Sequence, residues 1–416
     1  MPEATVDHLV AIVIFLAAVL LFVNLFSQNL QSALTYQRNS QLSAEASNLL
    51  DSISLNPGNP QNWGTTNSTP TFFGLQDPTQ QGYAISPFSL MKLNASNSGT
   101  SANCNGIWYD NLTMNSGGYL CVPFNRVVNY TTAAGMLGVN GSYGFQFVIT
   151  PVLNMSMTQT NPNPLQISVN IVASGLPLAG ASLNYYLINS TNGSKYPKFQ
   201  ILSSSSTTYT NATGTAVLTF SSVNANNCAY ALIVYANLKG LYGVGYFTSP
   251  TMANKITPIV GSFNDGKGNA TILLTQFPPS STKLSFSAMF LSLGSTVSSV
   301  VPMSISNGTA NLPTVTGLVN GQNQYAPIQI PNMNQTGIVI VTYNSTNTAP
   351  GISLLPWGIG SLGLKLVYGS AIPPSSNGNW VTTDLRLIKI ASESYQFEIA
   401  LWSHQGYQVQ GPSEGI

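Results

Sequence analysis

The feature that most constrains this chain is an apolar run near its N-terminus. Residues 9–26 are 18 consecutive positions of which only Asn24 is polar. A helix rises about 1.5 Å per residue, so this run measures about 27 Å, close to the roughly 30 Å hydrocarbon layer of a bilayer. No basic residue precedes the run and no small-x-small cleavage site closes it, which favours a retained helix over a secretory signal. The fold must therefore shelter this segment in lipid or against other apolar helices.

The spacing beyond the run predicts that the same helix continues as an amphipathic segment. Apolar residues recur mostly three, four or eight positions apart, as on one face of a helix. They are Leu30, Leu34, Leu42, Ala46, Leu49, Leu50 and Ile53. Asn56-Pro57-Gly58 ends the helix, because proline cannot continue its hydrogen-bond ladder. We therefore expect residues 1–56 to form one helix whose second half packs on a globular domain.

The apolar half of this helix is the predicted site of membrane insertion and of assembly with copies of the same chain. Its candidate contact residues are Leu9, Ile12, Val13, Leu16, Leu20, Val23 and Phe26. Membrane lipid is the expected partner before assembly.

The remainder of the chain is predicted to be β-structure. Short alternating apolar runs are separated by Gly, Pro, Asn and Ser clusters, which is typical of β-sandwiches. Proline-rich breaks at 160–164 and 277–281 divide it into three regions. We expect a β-rich head at 57–160 packed on the helix, a sandwich at 165–277 and a C-terminal sandwich at 282–416. The predicted fold class is mostly β with one long N-terminal hydrophobic helix and tandem β-sandwich domains.

Two of these regions carry more specific patterns. The order of turns and strands in 165–277, including the turn at 175–183 and the strand at 228–236, resembles immunoglobulin-like surface modules. That resemblance places Tyr230 at a tyrosine corner. The last region ends in a predicted hairpin, 380–390 followed by 395–402, and its apolar stretch 351–363 is either a core strand pair or an exposed loop.

The N-terminal helix and its exit resemble those of type IV pilins and archaellins. The resemblance rests on the unbroken hydrophobic helix and on the exit sequence at 48–64, and it covers about the first 65 residues. It implies an archaeal surface protein whose helices bundle in a filament core or anchor singly. Pilin leaders carry basic residues ahead of their processing site, whereas the first arginine or lysine here is Arg38. Either processing differs or the protein never polymerises.

Charge is scarce along the whole chain. Only 6% of residues are charged, from 12 basic and 11 acidic side chains, against about a quarter in a typical protein. No basic field is available to attract phosphate, so we expect no nucleic-acid partner. A surface with few carboxylates changes little when the pH falls, which leads to the hypothesis of an acidic environment.

Asn-x-Ser/Thr sequons predict how the chain is oriented across the membrane. All 13 follow the helix, which favours an inside N-terminus, an extracellular remainder and a glycosylated surface that is soluble without charges. The candidate N-glycosylation sites are Asn67, Asn94, Asn111, Asn129, Asn140, Asn154, Asn189, Asn192, Asn211, Asn269, Asn307, Asn334 and Asn344.

Cysteine and tyrosine patterns suggest structural roles. Cys104 and Cys121 bracket a short polar segment with turn residues, so they are either a hairpin-closing disulfide or two buried thiols, and the exported context favours the disulfide. Cys228 is predicted to be a lone core thiol. Tyr185, Tyr186, Tyr235, Tyr242 and Tyr246 either fill the core or stack surface glycans, and strand aromatics more often fill cores.

Residues that carry catalysis are sparse. The two histidines are His8, beside the apolar run, and His404, so no histidine triad or histidine metal cluster can be assembled. No paired carboxylates and no phosphate-binding glycine pattern stand out. We therefore expect no enzyme activity, no metal and no cofactor.

These patterns together predict a structural subunit of an archaeal extracellular filament. It would assemble through the N-terminal helix as a homopolymer and expose glycosylated β-domains for adhesion. The alternative is a singly anchored adhesin, envelope stalk or glycan-binding module that does not polymerise.

Overall fold

A computed structural model of the 416-residue chain describes about three quarters of it. The described residues are 3–65, 68–93, 106–109, 120–123, 128–139, 141–191, 197–203, 207–249, 255–262, 270–277, 284–293, 298–301, 304–305, 315–319, 326–330, 336–344, 350–357, 365–374, 380–391 and 393–404.

Three helices and twenty-five strands occur in this part of the chain. The helices are α1 (Glu3–Ser54), α2 (Pro87–Met91) and α3 (Tyr130–Met136). The strands of the first half are β1 (Ala84–Ile85), β2 (Gly106–Tyr109), β3 (Leu120–Pro123), β4 (Tyr143–Pro151), β5 (Leu153–Pro162), β6 (Leu165–Ala173), β7 (Leu176–Pro177), β8 (Ser182–Thr191), β9 (Lys198–Ser203), β10 (Thr208–Tyr209), β11 (Thr215–Phe220), β12 (Ala229–Leu238) and β13 (Leu241–Thr248). Those of the second half are β14 (Lys255–Ser262), β15 (Ala270–Phe277), β16 (Leu284–Leu293), β17 (Ser298–Val301), β18 (Ser304–Ile305), β19 (Val315–Val319), β20 (Ala326–Ile330), β21 (Gly337–Asn344), β22 (Gly351–Trp357), β23 (Leu366–Gly369), β24 (Val381–Ile390) and β25 (Glu393–Ser403).

Helix α1 spans 52 residues without interruption, as the sequence pattern predicts. At about 1.5 Å per residue it is about 78 Å long. It ends one turn before Pro57, and Gly58 then adopts a φ of 81°, a left-handed conformation that suits glycine. The Gly58 N–H bonds to the Asn56 side chain at 2.9 Å, which closes the turn out of the helix.

The domain that holds the end of α1 is built from both ends of the chain. Its sheet has the strand order β1-β24-β25-β4-β23, so the C-terminal hairpin β24–β25 lies between β1 and β4. Phe397 on β25 pairs with Ile149 on β4 in antiparallel register. The predicted hairpin is therefore confirmed, but it does not belong to a separate C-terminal sandwich. The predicted boundaries 57–160 and 282–416 are corrected, since one domain combines 57–151 with 365–404.

The middle region is the predicted β-sandwich. One sheet has the order β11-β6-β5 with β7 beside β6, and the other has the order β10-β8-β12-β13 with β9 beside β8. Their facing apolar side chains form a core that includes Leu165, Ile167, Leu187 and Leu232, all fully buried. Tyr230 lies in this core, where its hydroxyl donates to Gln159 Oε1 of the opposite sheet at 2.5 Å rather than to a nearby backbone carbonyl.

The third unit, 255–357, is a second pair of sheets. They have the orders β14-β15-β20-β18 and β17-β16-β21-β22, with β19 beside β16. Strand β22 comes from the apolar stretch 351–363, and its residues 351–355 are buried, which confirms the core interpretation for that part. Residues 358–363 lie outside the described part of the chain.

The two inserted units share a continuous apolar interface. One face of the β16–β21–β22 sheet packs on the middle sandwich through residues such as Met289, Ile340 and Leu354. The other face of that sheet packs on β14 and β15 through Phe286, Val341 and their neighbours. Four sheets are thus stacked, with the β16–β21–β22 sheet buried on both faces, which explains its nearly continuous apolar sequence.

Gly144 on β4 tests how tightly the terminal hairpin is held. Its partner across the sheet is Trp402, and a Cβ on Gly144 would overlap the Trp402 indole, which is 3% exposed. We expect Gly144→Val to lower the free energy of unfolding by about 1–3 kcal/mol, because the packed ring cannot move away. Denaturant unfolding followed by tryptophan fluorescence measures this. Gly135→Ala is the control, since a Cβ there meets no atom within 4 Å, and a Gly144 variant as stable as this control would contradict the pairing.

Candidate functional site

The surface that stands out on this molecule is the apolar half of α1. Residues 8–54 are the one stretch in the described part of the chain that is long and apolar enough to cross a membrane, and its most apolar window is wholly uncovered. All seven predicted contact residues are exposed, with fractions of 54–67%. They are Leu9, Ile12, Val13, Leu16, Leu20, Val23 and Phe26.

The opposite end of α1 is docked on the protein's own sheet. Ala46, Leu50 and Ile53 are fully buried, and Leu42 and Leu49 are nearly so. The helix packs here against β24 and β25. Full burial of a leucine or isoleucine contributes about 1.5–3 kcal/mol, so this seam, defined as these five residues, holds the helix end firmly to the domain.

The predicted amphipathic face begins later than the sequence pattern suggested. Leu30 and Leu34 are 45% and 46% exposed, so the prediction that they pack on the head is wrong. Two reasons account for this. At about 100° per residue, Leu34 and Leu30 lie about 80° and 120° around the helix from Leu42. Each step of four residues turns the helix by about 40° more than one full turn, so several such steps in succession place side chains on different faces. In addition, every residue from 8 to 34 is exposed whichever way it faces, so the domain does not reach this part of the helix.

A polar clamp fixes the docked end of the helix. Arg386 on β24 bonds to Asp51 Oδ1 at 3.1 Å and to Ser47 Oγ at 2.8 Å, both on α1. The same guanidinium bonds to Asp384 at 2.8 Å. Tyr83 donates to Asp51 at 3.0 Å, which adds a second link from the sheet domain to the helix.

This clamp determines the titration of Asp384. Burial alone would raise its pKa, but bonds from the Leu385 N–H, Arg386 and Ser47, together with the charge of Arg386, hold the pKa below its ordinary value. The sequence did not identify the clamp, although one signal was available. Asp384 and Arg386 alternate with Leu385 and Leu387 in a chain that has few charges, which marks a specific charged face on β24.

The helix exit is secured by a second group that the sequence analysis missed. The Trp63 indole N–H lies 3.1 Å from both the Pro57 and the Gly74 carbonyl oxygens. Lys92 is 2% exposed, and its ammonium group donates to the Trp63 carbonyl while lying 5.7 Å from the centre of the Trp63 ring. A cation–π contact and carbonyl acceptors thus stabilise this buried lysine.

The described sequons differ in accessibility. Asn129, Asn154 and Asn211 are exposed, and Asn344 is half-buried. Asn211 Oδ1 accepts bonds from the N–H groups of Thr213 and Thr215, which orders its turn. Asn189 is 5% exposed, so the folded protein has no room for a glycan there. The other candidates lie outside the described residues, namely Asn67, Asn94, Asn111, Asn140, Asn192, Asn269, Asn307 and Asn334.

The cysteine and aromatic predictions have mixed outcomes. Cys104 lies outside the described residues and Cys121 is described only as backbone of β3, so the disulfide stays a prediction. The Cys228 thiol is half-buried and donates to the Asn224 carbonyl at 3.2 Å, and burial raises its pKa. Among the tyrosines, Tyr186 and Tyr235 stack edge-on at 6.1 Å beside the inter-unit interface, which fits a packing role.

Comparison with known proteins does not place the chain in a family. No family model matches the sequence, and no curated protein does. Two solved structures with partial likeness are the Yersinia pseudotuberculosis adhesin InvE and red sea bream transglutaminase. The first is 12% identical with a TM-score of 0.18, over 50% of this chain and 59% of that one. The second is 10% identical with a TM-score of 0.16, over 54% and 32%. The chain thus matches less than two thirds of either structure's length.

Leu50 provides a direct test of the seam. We expect Leu50→Ala to destabilise the α1-bearing domain by about 2–5 kcal/mol, because the cavity forms where a fully buried side chain is removed. Thermal unfolding in mild detergent is the measurement. Leu176→Ala is the matched control, since Leu176 is 70% exposed and should change stability by less than about 0.5 kcal/mol. Equal effects of the two substitutions would contradict docking.

The clamp also predicts a pH dependence. Because the pKa of Asp384 is lower in the folded protein, its stabilising contribution is present above the ordinary value of about 3.9 and is lost as the pH falls through the folded value. Asp384→Asn should therefore lower Tm at pH 7 and have a shrinking effect below about pH 4. In an Arg386→Met background the substitution should matter less at neutral pH. A difference in Tm that stays constant from pH 7 to pH 2 would refute this assignment.

Proposed function

We propose that this chain is a structural subunit of an extracellular filament of the archaeal type IV pilin kind, which assembles through its N-terminal helix. In this proposal the helix crosses the cytoplasmic membrane before assembly, and the β-domains lie outside the cell. One observation carries the proposal: a single uninterrupted helix has one end buried in its own domain and the other end, over residues 9–26, exposed along its whole length.

The energetics of the uncovered end support a partner of apolar chemistry. The seven contact residues of the run each expose more than half of their surface. Apolar surface contributes roughly 25 cal/mol per Å² when it is removed from water, so these residues and their apolar neighbours strongly favour lipid or a helix bundle. Docking through the seam and the clamp would then attach the β-domains to the lipid or helix bundle that covers the run.

The β-domains supply surface rather than chemistry in this proposal. In the described residues, no three His, Cys, Asp or Glu side chains are grouped to hold a metal ion. The exposed sequons Asn129, Asn154 and Asn211 would carry glycans on the outer surface. Adhesion is the role that suits a display of this kind, and its ligand would be recognised by the domains distant from the helix.

Val13→Lys is the decisive substitution for this proposal. Val13 is 56% exposed and lies in the N-terminal half of the run, so a charge there costs up to roughly 3 kcal/mol on insertion and also disrupts helix packing. We expect loss of the protein from membranes and loss of filaments. Val13→Leu, which preserves apolar character, should behave as the wild type.

The measurement is electron microscopy of sheared cell-surface material, with mass spectrometry of any filaments. Wild-type protein found only in detergent-extracted membranes would remove the filament proposal and leave the singly anchored adhesin. Wild-type surface levels of the lysine variant would remove both.

A further inference from the structure

The turn at residues 210–215 of the middle sandwich holds one sequon in a fixed conformation. Asn211 Oδ1 accepts three hydrogen bonds, from the Thr213 N–H at 3.0 Å, the Thr213 hydroxyl at 2.8 Å and the Thr215 N–H at 2.9 Å. The backbone closes the same turn, since the Asn211 N–H donates to the Thr215 carbonyl at 2.9 Å and the Gly214 N–H donates to the Asn211 carbonyl at 3.0 Å. The Asn211 side chain therefore points in a defined direction.

The amide nitrogen of this side chain is the atom that the turn leaves available. All three bonds go to Oδ1, and Asn211 is exposed. Nδ2, the atom to which an N-linked sugar is attached, has no hydrogen bond within the described part of the chain. The turn has little freedom to rearrange, because Gly214 has a φ of 73° and a Cβ there would lie 2.6 Å from the Ile171 carbonyl oxygen. The sequon thus presents Nδ2 to solvent from a rigid turn.

An exposed aromatic ring lies two residues before this sequon. Tyr209 is 63% exposed at the end of β10, and the chain stays paired through the next residue, Thr210, whose N–H donates to the Ala181 carbonyl at 3.0 Å. Exposure alternates along this stretch: Thr210 is 5% exposed, whereas Tyr209 and Asn211 are both exposed. Side chains two residues apart on a strand lie on the same side, about 6.6 Å from each other. The Tyr209 ring and the Asn211 amide therefore share one outer surface.

The other exposed sequons that the structure describes lack such a ring. The residue two positions before Asn129 is Val127, and the residue two positions before Asn154 is Val152. Asn211 is thus the exposed sequon of the described chain that combines a free Nδ2, a rigid turn and a neighbouring aromatic face.

We propose that Asn211 carries an N-linked glycan whose first sugar ring stacks on Tyr209. This inference rests on the proposed function, because it requires the β-domains to lie outside the cell, where the glycan would be added. In the transfer, the C1–O bond of a lipid-phosphate-linked sugar breaks and a bond from C1 to Nδ2 forms. The lipid phosphate leaves with the electron pair of the broken bond, and Nδ2 loses one proton.

Stacking accounts for the exposure of this ring. One face of a pyranose carries C–H groups, which the negative face of an aromatic ring attracts. Contact also removes apolar surface of both rings from water, while the hydroxyl groups at the edge of the sugar stay solvated. The glycan on Asn211 would therefore stabilise the turn that carries it, whereas glycans on Asn129 and Asn154 would gain no such contact.

Hydrogen exchange of the full-length protein tests the contact. The protein is purified from its own host and from a host without N-glycosylation, and peptides that contain residues 208–215 are followed by mass spectrometry, which also measures occupancy of Asn211. We expect Tyr209→Ser to speed exchange in the turn by roughly fivefold in the glycosylated protein, the factor that corresponds to one aromatic contact. In the unglycosylated protein the same substitution should change exchange by less than about twofold, because the ring is exposed there.

Two further variants are the controls. Tyr209→Phe keeps the ring and should match the wild type in both preparations. Val217→Ser removes an apolar side chain that is 55% exposed on β11 of the same sandwich, and its effect on the turn should be the same with and without glycosylation.

Two results would overturn the inference: an unmodified Asn211 in the protein from its own host, or equal effects of Tyr209→Ser in the two preparations. Failure of the proposed function gives other results. A glycan that depends on Tyr209 in this way, on protein that forms no filaments, would remove the filament alone. Filaments whose Asn211 is unmodified would remove the stacked glycan alone.

Discussion

The docking of the last turns of α1 on the terminal hairpin is the contact on which the rest of this molecule depends. Five buried side chains from Leu42 to Ile53 and the Arg386 clamp attach the helix to β24 and β25. Because a helix transmits force and orientation along its length, this attachment determines how the stacked β-domains are presented relative to residues 9–26. Without these contacts, the apolar helix and the large β-domains would be joined only by the turn at the end of α1.

The same hairpin explains why the two inserted units are held in place. Strands β23, β24 and β25 lie in the same sheet as β4, so the chain leaves this sheet after Pro151 and returns to it at Leu366. The first residues of β25 also contact the middle sandwich and the link to it, since the Ser394 carbonyl accepts from Val152 N–H at 2.9 Å and Ser394 Oγ accepts from Tyr242 N–H on β13 at 3.2 Å. An insertion that is attached to one sheet at both of its ends moves less than a domain that hangs on a single linker.

The sequence predicted the features that depend on local pattern and missed those that depend on long-range pairing. Periodicity and Pro57 determined the length of α1, and alternation identified the strands of the hairpin. Neither pattern contains the information that β25 pairs with a strand about 250 residues earlier. The predicted domain boundaries were therefore placed at the proline-rich segments, and they were incorrect. The exposed run was foreseen because its composition is extreme, whereas the position of Arg386 opposite Asp51 required the three-dimensional register.

Leu30 and Leu34 illustrate a more general limit of reading helices by spacing. A list of apolar positions three, four or eight apart can contain two faces if the rotation is not added up along the helix, and here Leu34 and Leu30 lie about 80° and 120° around the helix from Leu42. The docked seam is recognised by its burial against β24 and β25, whereas Leu30 and Leu34 are about half exposed. One helix can therefore attach to its own domain and still leave apolar side chains uncovered over the rest of its length. Only 6% of the residues are charged, so apolar contacts carry most of the docking of α1 on its own domain, and the Arg386 clamp adds the ion pair that fixes the helix against β24.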